Sequence, residues 1–134
     1  MLWRKLHLMI GTLGLFLFVL QGQYMARVLG VPDLPDVQRM LYRSAHLYLM
    51  IACAANVCAG YFMDAAHYRG LLLKLCSAAL LLSPVLLLLS FFTEINTASI
   101  DRPMLSIALY ILFGAAVLLA THALWLRIRP APRD

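Results

Sequence analysis

The chain has 134 residues, of which 63% are hydrophobic and 13% are charged, and its formal net charge is +5. Soluble domains average about half apolar and a quarter charged residues, so this composition excludes an ordinary water-soluble fold. The excess of basic residues is explained by membrane topology, and we expect the lipid bilayer, not a nucleic acid, to surround the chain.

Four apolar segments, at about 6–25, 40–63, 71–92 and 104–126, fill most of the sequence. Each is long enough to cross a hydrocarbon core of roughly 30 Å as a helix. Barrel strands would alternate in polarity, whereas the run Leu86–Leu89 is continuous. The sequence therefore predicts an all-α, integral membrane four-helix bundle, antiparallel up-down-up-down, as a single transmembrane domain over residues 1–134.

The distribution of lysine and arginine predicts the orientation. With the N-terminus inside, seven basic residues lie at cytoplasmic ends and four at outer ends. The first group is Arg4, Lys5, Arg69, Lys74, Arg127, Arg129 and Arg133, and the second is Arg27, Arg39, Arg43 and Arg102. This bias predicts that the N-terminus and C-terminus are both cytoplasmic, and it suits a bacterial inner membrane.

The first segment follows Arg4 and Lys5 and resembles the start of a signal peptide, but no small-residue cleavage site follows its apolar run. We therefore predict a retained span. Its small and polar residues recur at steps of four and three, which places them on one helix face. These residues are His7, Gly11, Gly14, Phe18, Gln21 and Met25.

The link Ala26–Arg39 contains Gly30, Pro32 and Pro35, which predict an extended loop. The second segment carries a matching stripe, and Asn56 within it is expected to bond a neighbouring helix. The stripe comprises Arg39, Arg43, His46, Met50, Cys53, Val57 and Gly60. An inner turn is predicted at Asp64–Gly70.

The third segment is rich in leucine, so we predict that it faces lipid most, with a kink at Pro84. A second outer loop is predicted at Thr93–Pro103, and Pro103 suits the first turn of the last helix. The fourth segment repeats the small-residue spacing in a stripe that comprises Tyr110, Gly114, Val117 and Thr121. The tail from Arg129 to Asp134 is expected to be disordered or to lie on the headgroups.

Polar residues inside spans are the candidates for function, because hydrocarbon makes them costly. In an antiparallel arrangement one group lies near the outer face. It comprises Gln21, Arg43, His46 and Tyr110, together with Ser106. This group is either an internal hydrogen-bond network or a ligand-binding pocket, and the pocket would suit a small oligomeric transporter.

His7 and His122 are predicted at similar depth near the inner face. Two histidines on facing helices are the minimum for bis-imidazole ligation of haem b. The stretch from Arg4 to His7, followed by Gly11 and Gly14, resembles the first membrane helix of PepSY-type transmembrane proteins. Some of those proteins bind haem, so the resemblance implies a haem-binding electron carrier as one alternative.

The sequence contains no catalytic motif, no metal-binding grouping and no carboxylate in the interior of a span. Cys53, Cys58 and Cys76 lie within spans and are predicted to be packing residues. We therefore predict a small multi-pass membrane protein without enzymatic activity. It would be an accessory, assembly or scaffold component that contacts itself or a larger membrane-protein partner through its small-residue helix faces, with no resident cofactor.

Overall fold

A computed structural model describes residues 2–63, 70–94 and 101–128. The described residues form four long helices and no strand. The helices are α1 (Leu2–Arg27), α2 (Asp36–Phe62), α3 (Leu71–Glu94) and α4 (Pro103–Ile128). All four are long and apolar enough to cross a membrane, which confirms the prediction of an all-α chain with four long apolar helices. The predicted inner turn, the middle of the second outer loop and the C-terminal tail (64–69, 95–100 and 129–134) lie outside the described residues.

The connection between α1 and α2 is not extended as predicted. Gly30 adopts a φ of 58°, in the left-handed region that glycine enters without steric cost. A 3-10 turn at Val31–Asp33 follows it, and Val31 is buried. Pro35 then precedes the first residue of α2. A buried apolar residue and one compact turn therefore hold this connection against the helices.

The closest helix packing is between α1 and α2, and glycines make it possible. A Cβ added at Gly11 would lie 2.8 Å from the Val57 nitrogen and 2.9 Å from the Cys53 oxygen. One added at Gly60 would lie 2.8 Å from the Leu8 nitrogen. Since lipid tails are as apolar as leucine, close backbone approach is a main source of helix association in a bilayer. This close contact at Gly11 and Gly60, here called the glycine seam, therefore holds α1 against α2.

The predicted packing face of α1 is confirmed, whereas the predicted packing face of α4 is wrong. The buried residues of α1 are His7, Gly11, Gly14, Gln21 and Met25. In α4, by contrast, Tyr110 is 79% exposed and Val117 is 59% exposed, while Leu112 and Ala115 are buried. Every face of α4 is apolar, so the spacing of its small residues did not indicate which face packs.

The prediction that α3 faces lipid most is also wrong. In its apolar window 44% of residues are buried, compared with 22% in α1. The helix α3 contacts both α4 and α2, and α1 contacts α3 over a narrow strip. The helices α1 and α4 make no comparable contact, so they lie on opposite sides of the α2 and α3 pair.

We expect Gly11→Ala to lower the free energy of unfolding by about 1–3 kcal/mol, because the new methyl group meets backbone atoms that cannot move aside. Gly114→Ala is the matched control, since nothing lies within 4 Å of its added Cβ. That change should be neutral or stabilising by up to about 1 kcal/mol. Denaturation in detergent micelles measures both, and equal effects would contradict the proposed seam.

Candidate functional site

A buried polar network joins α1, α2 and α3. His7 Nδ1 lies 2.7 Å from Asn56 Oδ1, and His7 Nε2 lies 2.6 Å from Ser77 Oγ. Asn56 Nδ2 donates to the carbonyl oxygens of Leu80 and Ala52, each at 2.9 Å. The side chains of His7, Asn56 and Ser77 are fully buried. We call these three residues the His7 network.

The position of the network follows from Pro84 inside α3. Proline has no N–H group, so the carbonyl four residues earlier, that of Leu80, loses its helical donor. In the structure this carbonyl accepts hydrogen bonds from Asn56 Nδ2 at 2.9 Å and from Ser83 Oγ at 2.8 Å. Water cannot replace a missing donor in hydrocarbon. Asn56 therefore satisfies a carbonyl that α3 cannot satisfy through its own backbone.

The hydrogen-bond pattern assigns the tautomer of His7. Both protons of the Asn56 amide are used, so its oxygen accepts and His7 Nδ1–H donates. In the neutral ring Nε2 then accepts the proton of the Ser77 hydroxyl. A hydroxyl, an imidazole and an orienting amide in this order are the arrangement that activates a serine nucleophile.

The surroundings of the network favour a structural role. Ser77 and His7 are fully buried, and Ser77 lines none of the grooves described below. A serine nucleophile also needs donors that stabilise an oxyanion, and the nearby backbone N–H groups belong to helix interiors. The network therefore acts as a hydrogen-bonded link among three helices.

The two histidines of the haem hypothesis lie in different surroundings. His7 has both ring nitrogens within hydrogen-bond distance of Asn56 and Ser77. His122 is partly buried on α4, with its ring centroid 6.1 Å from that of Trp125. Because α1 and α4 do not pack together closely, no observed contact brings the two rings to one face. Haem ligation by His7 and His122 stays a prediction, and no contact among the described residues supports it.

A second polar contact joins Gln21 of α1 to His46 of α2. His46 Nδ1 donates to Gln21 Oε1 at 2.9 Å, and the His46 ring stacks on Phe18 with centroids 3.9 Å apart. Gln21 is 5% exposed, and its buried Nε2 atom has no hydrogen-bond partner among the described residues. We call these two residues the Gln21 pair.

Among the described residues no contact joins Arg43 or Tyr110 to the Gln21 pair, and a ligand site formed by all four residues stays a prediction. Arg43 is exposed and lines a surface depression on α2, between Arg39 and Leu47. Tyr110 is 79% exposed on α4. The transporter hypothesis, which depends on a convergent polar site, likewise stays a prediction.

Glu94 and Arg102 each make polar contacts between helices that the sequence did not indicate. Glu94 accepts hydrogen bonds from the backbone nitrogens of Met104 and Leu105 at 2.6 and 3.0 Å. Its carboxylate thus satisfies free N–H groups at the start of α4. Arg102 donates to the Leu41 carbonyl at 3.2 Å. Burial lowers the pKa of the Arg102 guanidinium, and the charge of Glu94 partly opposes this change.

Sequence reasoning found His7 and Asn56 but missed Ser77. The sequence did contain a pattern next to Ser77. Cys76, Ser83 and Ser90 recur every seven residues, and all three are buried. This heptad spacing of small residues marks the packed face of α3.

No three histidine, cysteine or acidic residues in the described part of the chain come together as metal ligands. All three cysteines are free, with Cys53 and Cys76 buried and Cys58 exposed.

Comparisons of this chain with protein-family models, with curated proteins and with solved structures found no match.

Replacing Asn56 tests the network. Asn56→Ala removes the donor to the Leu80 carbonyl and the acceptor for His7, so we expect a loss of about 1–3 kcal/mol in unfolding free energy. Thr121→Val is the control, because Thr121 is exposed and its hydroxyl bonds only the Val117 and Leu118 carbonyls of its own helix. That variant should change stability by less than about 0.5 kcal/mol. Comparable losses in both variants would argue against the network.

The haem hypothesis has a direct spectroscopic test. Because both His7 ring nitrogens are already hydrogen-bonded, we expect haemin titrated into the purified protein to give the same absorption spectrum with wild type and His7→Ala. A Soret band that appears in wild type and is lost in both His7→Ala and His122→Ala would instead establish the haem alternative.

Proposed function

We propose that this chain is a small, non-enzymatic integral membrane protein that acts as an accessory, assembly or scaffold component through contacts between transmembrane helices. The observation that carries this proposal is an open groove of about 260 Å³ between α2 and α4. Polar groups that resemble a reactive site, by comparison, are buried and bonded to one another. The surfaces available to other molecules are therefore mainly helix faces.

We further propose an antiparallel bundle in a bacterial inner membrane, with both termini cytoplasmic. Support for the helix directions comes from contacts in which early residues of one helix meet late residues of the next. Arg4 donates to the Gly60 carbonyl at 3.0 Å, whereas Gln21 meets His46. Support for the orientation comes from the seven-to-four distribution of basic residues.

The groove between α2 and α4 has the lining expected for a partner helix. Most of the residues along it are small: Ala55, Cys58, Ala59, Ala116, Ala120 and Ala123. Small residues let helix backbones approach closely, which favours association within lipid. Ligand pockets usually add a few placed polar groups, and this groove has none. A transmembrane helix, from a second copy or from a larger protein, therefore fits it better than a small molecule.

Cys58 provides a built-in probe of this groove, because it is the exposed cysteine of the three. A benzophenone maleimide attached to Cys58 in native membranes should crosslink on illumination to one species of defined mass. Twice the mass of the chain would identify a second copy, and any other single mass would identify a larger partner.

Two variants control this experiment. Ala120→Phe fills the groove from an exposed position on α4, so it should abolish the crosslink without disturbing the core. Met9→Cys in a Cys58→Ser background places the same probe on an exposed face of α1, which is 57% accessible at that residue. Diffuse labelling from Cys58 that matches labelling from Met9→Cys would contradict a partner helix in the groove.

A further inference from the structure

The Gln21 side chain contains an unused hydrogen-bond donor in an apolar environment. Its Nε2 atom is buried and unpaired, and the side chain as a whole is 5% exposed. An unpaired amide in hydrocarbon is unfavourable by the free energy of at least one lost hydrogen bond. In the His7 network, by comparison, the equivalent amide of Asn56 has both protons bonded. The unpaired donor of Gln21 therefore needs an explanation.

A hydrogen bond from His46 on α2 fixes the orientation of the Gln21 amide. His46 Nδ1 donates to Gln21 Oε1 at 2.9 Å, so the oxygen faces α2. The His46 ring is held in turn by stacking on Phe18, with an interplanar angle of 12°. It also lies against Gly22, where an added Cβ would be 3.3 Å from the ring. With the oxygen bonded to His46, the NH₂ group is left without a partner on α2.

Gln21 lines a groove between α1 and α3. The groove has a volume of about 190 Å³ and is lined by Leu17, Leu20, Gln21, Tyr24, Leu88 and Phe92. The rings of Tyr24 and Phe92 lie 6.3 Å apart at one end of it. The lining combines aliphatic side chains, the two aromatic rings and the Gln21 side chain, whose buried NH₂ group has no hydrogen-bond partner among the described residues.

A second cavity continues this groove along the two helices. It has a volume of about 90 Å³ and shares Leu17 and Leu88 with the first. Its other walls include Ile10, Leu13 and Pro84. From Ile10 to Tyr24 the combined groove, here called the α1/α3 groove, extends roughly 21 Å at about 1.5 Å per residue. The polar groups of Gln21 and Tyr24 lie near one end of the α1/α3 groove, and the rest of its lining is apolar.

We propose that the α1/α3 groove binds a membrane-soluble molecule that has a carbonyl head and a long apolar tail. The carbonyl oxygen accepts a hydrogen bond from Gln21 Nε2, the head lies beside Tyr24 and Phe92, and the tail follows Leu17 and Leu88 toward Leu13. A ring carbonyl of a quinone and an ester carbonyl of a glycerolipid supply the same acceptor. This inference concerns a different groove from the partner-helix site.

Photolabelling of the full chain in detergent micelles tests the proposal with two probes. One is a benzoquinone with a diazirine-bearing decyl tail, and the other is a phosphatidylglycerol with a diazirine in one acyl chain. We expect saturable labelling of groove residues on α1 and α3 by one of them. Gln21→Leu should raise the half-saturating probe concentration about five- to tenfold, as expected for loss of one hydrogen bond. Gln23→Leu is the matched control, because Gln23 is exposed and does not line the groove.

A second pair of variants keeps the test valid even where Gln21→Leu fails to fold. Leu20→Trp fills the groove and leaves Gln21 and His46 unchanged, whereas Val19→Trp places the same ring on a neighbouring position outside the groove. Saturable labelling should be lost in Leu20→Trp and retained in Val19→Trp.

The probe that labels decides the class of ligand. Labelling by the benzoquinone assigns a ring carbonyl, and labelling by the phospholipid assigns an ester carbonyl, and either supports the site. The proposal is overturned by the absence of saturable labelling with both probes, or by equal labelling of wild type and Leu20→Trp. Labelling that a folded Gln21→Leu variant retains at full affinity overturns it as well.

Discussion

The carbonyl of Leu80 is the constraint on which the packing of three helices depends. Pro84 deprives this carbonyl of its helical donor, and the bilayer offers no water to replace it. Asn56 and Ser83 supply the donors. Because Asn56 also accepts from His7, the side-chain amide that satisfies α3 is oriented by α1. A single proline on α3 thus couples the relative positions of α1, α2 and α3.

The same arrangement leaves two grooves open. The glycine seam holds α1 so close to α2 that α1 touches α3 only along a narrow strip. On the other side α4 packs along α3 and barely meets α2. Each of these narrow contacts is flanked by a groove, one lined by leucines with Gln21 and the other lined by alanines. Both candidate interaction surfaces therefore follow from how α1 and α4 lie across the central pair.

The sequence predicted the number and type of the elements better than their orientation about their own axes. Helix number and extent follow from apolar length, which the bilayer thickness controls. The packed face of α1 was predictable because glycines, His7 and Gln21 contrast with an otherwise large and apolar surface. For α4 no such contrast exists, and the stripe through Tyr110 and Gly114 faces outward. Leucine content misled for α3, because lipid and protein interiors are equally apolar.

The candidate sites were predictable to a similar degree. Gln21 and His46 meet as expected because their depths and faces agree, whereas Arg43 is only three residues from His46 and yet is exposed. Ser77 was missed because a serine in a leucine-rich helix is unremarkable until its partners on other helices are known. Pairing across helices depends on rotation and tilt, which hydrophobic periodicity does not determine when all faces are apolar.

Asn56 and Gln21, the two buried side-chain amides in the described part of the chain, differ in how fully they are hydrogen-bonded. Asn56 has its oxygen and both its protons bonded within the protein, so adding a ligand there would break existing bonds. Gln21 has only its oxygen bonded, so a ligand with an acceptor would add a bond and break none. Buried donors are rarely left unpaired in folded proteins. The amide of Gln21, bonded to a stacked histidine and belonging to a residue that lines a groove, is therefore the observation from which the proposed ligand site follows.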